Sequence, residues 1–330
     1  MSSFRVTVQP PGRSPLVVRG FDDKLAPPES ADRRLARKYA PMNAADRQKF
    51  VLTVSCPEAN GIVRAVSDFL FQRGATISDA AQHRDPVADR FFMRVEFEEV
   101  EATLPGSEKL HEDFREIAQR FDMQCSFFNL AVKPRVLMAV SKHGHCLNDI
   151  LHRWSSGVLP ADIVGVVSNH EDLRGITEWY GIPYHYLPVT HANKEAQEDA
   201  VLEIIRTERV DLLALARYMQ ILSAQMCEAM AGRAINIHHS FLPGFKGANP
   251  YRQAYMRGVK IIGATAHYVT TDLDEGPIIE QAVEKIDHNF DIDELVQIGR
   301  DAECTAFARA VKWHCEHRII VNGNKTVVFK

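Results

Sequence analysis

The residues best suited to chemistry lie in INIHHSFLPGFKG, where Asn236 and His238 stand two apart at the end of an apolar run. On an extended backbone, side chains two apart leave on the same face, so both would enter one crevice. An amide can donate to a carbonyl oxygen as it becomes an oxyanion, and an imidazole can move a proton near neutral pH. That is a workable pair for acyl chemistry. Asp274, in HYVTTDLDEGPIIEQ, is expected where a new strand begins, from which it could turn inward beside His238. A carboxylate there would favour the imidazolium and fix its tautomer. Spacing alone also admits a blander reading, a hydrogen-bonded strand end and a turn-forming Asp. Nor does it bring the two loops together.

Elements must position these residues. RVLMAV, VGVVSN, YHYLPV, LLALA and AINIH are short apolar runs, most of them separated by amphipathic helical stretches. Such a pattern predicts a mainly parallel, doubly wound sheet covered on both faces, with ligands outside the carboxyl ends of its strands. This α/β unit is assigned to residues 132–330. Ahead of it, FVLTVSC alternates Phe50, Leu52 and Val54 on one face, and Ile62, Val63, Val66, Phe69 and Leu70 follow at helical spacing. Two further strands, a helix through Leu110, Phe114, Ile117 and Phe121, and a last strand complete β-α-β-β-α-β over residues 48–131, a ferredoxin-like order. Residues 1–47 carry two Pro-Pro pairs and a basic patch and read as an arm; the acids Asp22, Asp23 and Glu29 weigh against a transit peptide.

Composition narrows the classes. Lys+Arg 39 against Asp+Glu 43 in 330 residues gives a net charge of −4, which argues against nucleic-acid binding by bulk positive charge. No apolar run approaches the roughly 20 residues that span a bilayer, and the N-terminus lacks a signal-peptide core. Six cysteines without a CxxC pair read as reduced thiols of a soluble, cytoplasmic protein. The turn with His143, His145 and Cys146 looks metal-like but shows no carboxylate partner in sequence, so no metal is expected. Trp154, Trp179 and Trp313 are expected to pack on helices, His288 and His314 to be structural or solvated, and NGNK to close a hairpin. Lys246 and Arg252 are the cations that could attract an anionic tail of a ligand.

Taken together, INIHHSFLPGFKG and the later DLDEGP resemble the folate-dependent formyltransferase family. That resemblance implies a catalytic group of Asn236, His238 and Asp274. It also implies a pterin pocket built from Met219, Gln220 and Leu222 in ARYMQIL and from Val269, Thr270, Thr271, Asp272 and Leu273. The family's glycinamide ribonucleotide enzyme has Gly-Ser-Asn after its first strand, whereas here SKHGHCLND puts His145 and Cys146 in place of Ser-Asn and would crowd a phosphate. The stretch from the first strand through CPEANGIV to the helix resembles an ACT domain, which implies a homo-oligomer. A small amino-acid effector would then sit at Asn60, Gly61 and Ile62. An ACT-like module ahead of SKHGHCLND, ARYMQIL and GATAHYVT is similar to the hydrolytic branch of the family. The implied reaction converts 10-formyltetrahydrofolate to tetrahydrofolate and formate, with folate as substrate and no cofactor, supplying formate for purine synthesis and balancing one-carbon pools. Formyl transfer to an amine acceptor and a non-catalytic folate or amino-acid sensor are the alternatives.

Overall fold

The computed structural model describes residues 47–100, 104–244 and 250–330, so the arm lies outside the described residues up to Arg47. The first unit runs β1 (Lys49–Pro57), α1 (Ile62–Phe71), β2 (Ala75–Asp85), β3 (Arg90–Glu99), α2 (Ser107–Arg120) and β4 (Gln124–Asn129). Its antiparallel sheet has the order β2-β3-β1-β4, with both helices on one face. Alternation decides the packing: Phe50, Leu52, Val54 and Cys56 of β1 meet Val66, Phe69 and Leu70 of α1 and Phe114 of α2. Phe69 and Phe114 meet edge to face at 4.9 Å, the arrangement aromatic quadrupoles favour.

From Arg135 the chain alternates as its apolar runs predict: β5 (Arg135–Val140), α3 (His145–Ser155), β6 (Asp162–Ser168), α4 (Arg174–Trp179), β7 (Tyr184–Tyr186), α5 (Lys194–Thr207), β8 (Leu212–Ala216), α6 (Ala224–Ala229) and β9 (Ala234–His238). Then come α7 (Pro250–Arg257), β10 (Ile261–Tyr268), β11 (Ile278–Lys285), α8 (Ile292–Cys315) and the hairpin β12 (Ile319–Asn322) with β13 (Lys325–Val328). The sheet order is β11-β10-β9-β8-β5-β6-β7. The five strands from β9 to β7 are parallel, and β10 and β11 run antiparallel at one end. Leu147 and Ile150 of α3 with Phe307 and Val311 of α8 cover one face, while Val201 and Ile205 of α5 with Met226 and Met230 cover the other. Strand order reverses between β5 and β8, which opens a crevice at the carboxyl ends there.

The two units are pinned by a buried cation. Arg94 of β3, only 1% exposed, donates from Nε to the His317 carbonyl and from Nη2 to the Glu316 carbonyl, both at 3.2 Å. It also pairs with Asp79 and Glu96. The Phe128 ring stacks on His317 at 3.7 Å. NGNK closes the β12–β13 hairpin as expected, and Asp85 of β2 holds it by accepting from Asn322 and Lys325 at 2.8 Å. Trp154 and Trp313 pack on the core as expected. Trp179 corrects the expectation: it is 76% exposed, because the short α4 turns it outward onto Tyr180.

Candidate active site

Asn236 and His238 occupy the last residues of β9, and antiparallel pairing with β10 sets their neighbours. His267 lies directly opposite Asn236 in the register. Its Nδ1 faces the Tyr268 carbonyl at 2.8 Å, and since a carbonyl only accepts, the ring proton sits there. The Asn236 amide then donates to His267 Nε2 at 3.3 Å and keeps its other hydrogen for the cleft.

Asp274 reaches the pair from the loop between β10 and β11. The expectation that it starts a strand is corrected: β11 begins at Ile278, and Asp274 stands in the turn before it with φ +59°. Asp is among the few residues that tolerate that left-handed conformation. The loop folds back tightly, with Tyr268 N–H donating to the Pro277 carbonyl at 2.9 Å. Gly276 permits this approach, since a Cβ there would lie 1.8 Å from the Tyr268 oxygen. Asp274 Oδ1 ends 3.2 Å from His238 Nδ1 and 3.7 Å from His267 Nε2.

The electrostatics follow from this packing. The hydrogen bond from His238, the largest cause, holds the Asp274 carboxyl well below the usual carboxylate range, against the opposing effect of burial. An ionised Asp274 accepts a hydrogen bond from His238 Nδ1–H, which leaves the Nε2 lone pair as the basic end. That Nε2 is buried with no hydrogen-bond partner among the described residues, as a base awaiting a substrate should be. The adjacent His239 is pushed down to about 4, by burial first and then by Arg217 and His238, and is neutral at physiological pH.

A cleft of about 310 Å³ opens beside this group. Met219, Gln220 and Leu222 form one wall, and Val269, Thr270, Thr271, Asp272 and Leu273 the other, with Asn236, His238 and Asp274 between them. The loop after β8 is anchored from behind. Met219 N–H donates to Ser141 Oγ at 3.0 Å, Ser223 N–H donates to the Glu198 carboxylate at 3.0 Å, and Gln197 bonds the Tyr218 hydroxyl at 3.0 Å. All the site residues expected from sequence for catalysis and the pterin pocket therefore line one cleft.

Glu303 and Tyr251 escaped the sequence reading, and His267 and Arg217 were noted there only for their place in the chain, with no side-chain role. His267 joins the group through strand register, Arg217 lines the cleft, and Glu303 and Tyr251 form a buried cluster behind it. Glu303 Oε2 lies 2.7 Å from His145 Nε2, so α8 supplies the carboxylate that the HGHC turn lacks in sequence. His145, Cys146 and Glu303 place ligand atoms within 4.8 Å of one another, near enough for a metal ion. Their chemistry suits a hydrogen-bonded cluster better. Both carboxylate oxygens are engaged by His145 and Tyr251, Arg217 adds positive charge, and the Cys304 contact with burial keeps the Cys146 thiol protonated. Lys246 lies outside the described residues, and Arg252 is exposed on α7 away from the cleft lining. Asn60 and Gly61 (φ +94°) stand exposed at the start of α1, whereas Ile62 gives its side chain to the core and could offer a ligand only its N–H.

Comparison with known proteins bears on the family and the fold. The formyl transferase family matches residues 134–311. The chain is 48% identical over 286 residues to the formyltetrahydrofolate deformylase of Corynebacterium sp. (strain P-1), covering 87% of this chain and 100% of that one. It superposes on the crystal structure of formyltetrahydrofolate deformylase from Burkholderia mallei with a TM-score of 0.81 at 48% identity, covering 86% of this chain and 100% of that chain. Likeness to glycinamide ribonucleotide transformylase 1 from Symbiobacterium toebii is lower, with a TM-score of 0.56 at 29% identity over 60% of this chain and 95% of that one.

Proposed function

We infer the reaction from one premise: the chain belongs to the formyl transferase family, among its formyltetrahydrofolate deformylases. It hydrolyses 10-formyltetrahydrofolate to tetrahydrofolate and formate. The observation that carries the chemistry is the free Nε2 of His238, backed on Nδ1 by Asp274 at 3.2 Å and flanked by Asn236. Water attacks the formyl carbon while His238 takes its proton, and the Asp274 carboxylate balances the imidazolium. The Asn236 amide donates to the oxyanion of the tetrahedral intermediate. As the C–N bond breaks, His238 returns the proton to the departing nitrogen, and formic acid loses its hydroxyl proton to solvent as formate.

The pterin is held between Met219–Leu222 and Val269–Leu273, whose loops offer backbone N–H and C=O groups beside apolar side chains. These side chains supply base, acid and oxyanion donor, so folate enters as substrate and the step calls for no added cofactor. The setting is the cytoplasm, where the released formate serves purine synthesis; no described helix is long and apolar enough to cross a membrane. The β2 edge, paired among the described residues only with β3, supports homo-oligomer assembly through residues 48–131. The exposed Asn60–Gly61 turn at the head of α1 suits the carboxylate of an amino-acid effector. The direct test is formate release from 10-formyltetrahydrofolate with no amine present. Sustained turnover is expected; release only when an amine is added would replace hydrolysis by transfer, and tight folate binding without turnover would make the chain a sensor.

A further inference from the structure

Arg217 stands where β8 gives way to the cleft wall, with its backbone in the left-handed region at φ +64°. A long side chain holds that conformation only where its surroundings over-determine it, and such residues gather at ligand sites. The Arg217 side chain is 12% exposed, and its Nε and Nη1 are buried without hydrogen-bond partners among the described residues. Buried guanidinium N–H groups ordinarily all find acceptors. The nearest anion is Glu303, whose Oε2 lies 3.4 Å from Nε, but its oxygens are already taken by His145 and by the Tyr251 hydroxyl, each at 2.7 Å. Tyr251 is seated by Gly299, where a Cβ would lie 2.2 Å from the ring. Glu303 thus anchors the guanidinium without satisfying it. Among the described residues, Arg217 is the only Lys or Arg that lines the cleft.

We propose that Arg217 binds the carboxylate of the product formate, with Glu303 as the positioning residue that fixes its guanidinium in the cleft wall. The proposal rests on the hydrolytic reading above. Transfer to an amine never makes a carboxylate, whereas hydrolysis makes one at every turnover. Once water has added, the formyl carbon bears two oxygens, and Asn236 serves one of them. When the C–N bond breaks and the remaining hydroxyl proton leaves, the fragment is an anion with two equivalent oxygens, the group a guanidinium binds best. The same contact serves the water-derived oxygen of the intermediate.

Saturation-transfer NMR on the formate C–H proton, using sodium formate with the full chain and tetrahydrofolate, reads this site without turnover; formamide is the neutral control. Wild type should bind formate in preference to formamide. Arg217→Gln and Arg217→Gly should each weaken formate binding roughly 10- to 100-fold while tetrahydrofolate affinity stays within a few-fold, and Arg217→Lys should recover part of the loss. The Gly variant adopts the left-handed backbone without strain, so it keeps the loop intact if the Gln variant does not fold. Glu303→Gln should weaken formate binding less than Arg217→Gly. Formate affinity unchanged in Arg217 variants that still bind tetrahydrofolate, or formamide binding as well as formate, overturns the assignment. If wild type releases formate from 10-formyltetrahydrofolate yet binds none, Arg217 loses this role and hydrolysis stands. If it releases none, hydrolysis falls, and the NMR measurement still decides on Arg217.

Discussion

Replacing Asp274 by Asn keeps a hydrogen-bond acceptor beside His238 Nδ1 and removes only the charge. At the observed 3.2 Å, a unit charge pair in an effective dielectric of about 20 is worth about 5 kcal/mol. The carboxylate is 17% exposed, so screening leaves about 3–4 kcal/mol for the imidazolium that forms during attack. The expected loss in kcat is therefore about 10²- to 10³-fold. KM should stay within a few-fold, because the charge acts on the transition state and not on bound substrate. Asp274 is held well below the usual carboxylate range, so it remains ionised through neutral and mildly acidic pH. The loss should consequently run parallel to wild type between about pH 6 and 9. Stability follows the same sign: a lowered folded-state pKa stabilises above the ordinary carboxylate value and loses that contribution as pH falls through the folded value. Any Tm deficit of the variant should therefore close on strong acidification. Steady-state formate release across pH, with thermal melts in parallel, provides the measurement. A variant within about threefold of wild-type kcat, or a loss confined to the acid limb, would refute the electrostatic role.

His238→Ala and Asn236→Ala should each lower turnover by on the order of 10²–10⁴ with folate affinity within a few-fold; near-normal turnover in the first would remove His238 as the base. Arg94→Met should destabilise the chain by about 2–5 kcal/mol in urea, because it strips a buried cation from two carbonyls and two carboxylates. An unchanged midpoint would mean the junction is held elsewhere. His145, locked on Glu303 at the head of α3, and Cys146, fully buried beneath it, leave no small-residue turn for a phosphate. Glycinamide ribonucleotide should accordingly neither accept the formyl group nor inhibit, and measurable transfer by the unaltered protein would contradict the assignment.

Asn236 and His238 were legible because a single strand carries both and its period of two fixes their common face. The alternation of apolar runs likewise exposed the parallel sheet, and the β-α-β-β-α-β order exposed the first unit. His267 was visible as a polar residue near a strand end, but its meeting with Asn236 depends on how β10 registers against β9, a long-range pairing that local pattern does not encode. Arg217 was legible only as part of a main-chain segment, because nothing in an arginine announces a left-handed backbone, where a glycine would have. Glu303 reads in sequence as one more acid on a long helix, and only the packing of α8 against α3 reveals it as buried. Trp179 misled for the opposite reason: a six-residue helix is too short to offer a whole buried stripe.

The end of α8 has a consequence for how separable the two units are. The helix closes with His317 at φ +53°, and Arg318 N–H donates back to the Trp313 carbonyl at 2.8 Å, the termination usually given to glycine. The carbonyls just past it, those of Glu316 and His317, are met by Arg94, a residue of the other unit, and the strained His317 is braced by Phe128 from the same source. A chain cut near Pro134 would retain every residue of the catalytic cleft and still be incomplete. It would bare the tail of its longest described helix, release the Asp85-held hairpin and expose the Tyr268–His314 contact beneath. The amino-terminal unit is thus a supplier of structural parts to its neighbour as well as a separate fold. Swapping it for the corresponding unit of a relative would demand that the graft bring its own arginine and aromatic ring to the same two points.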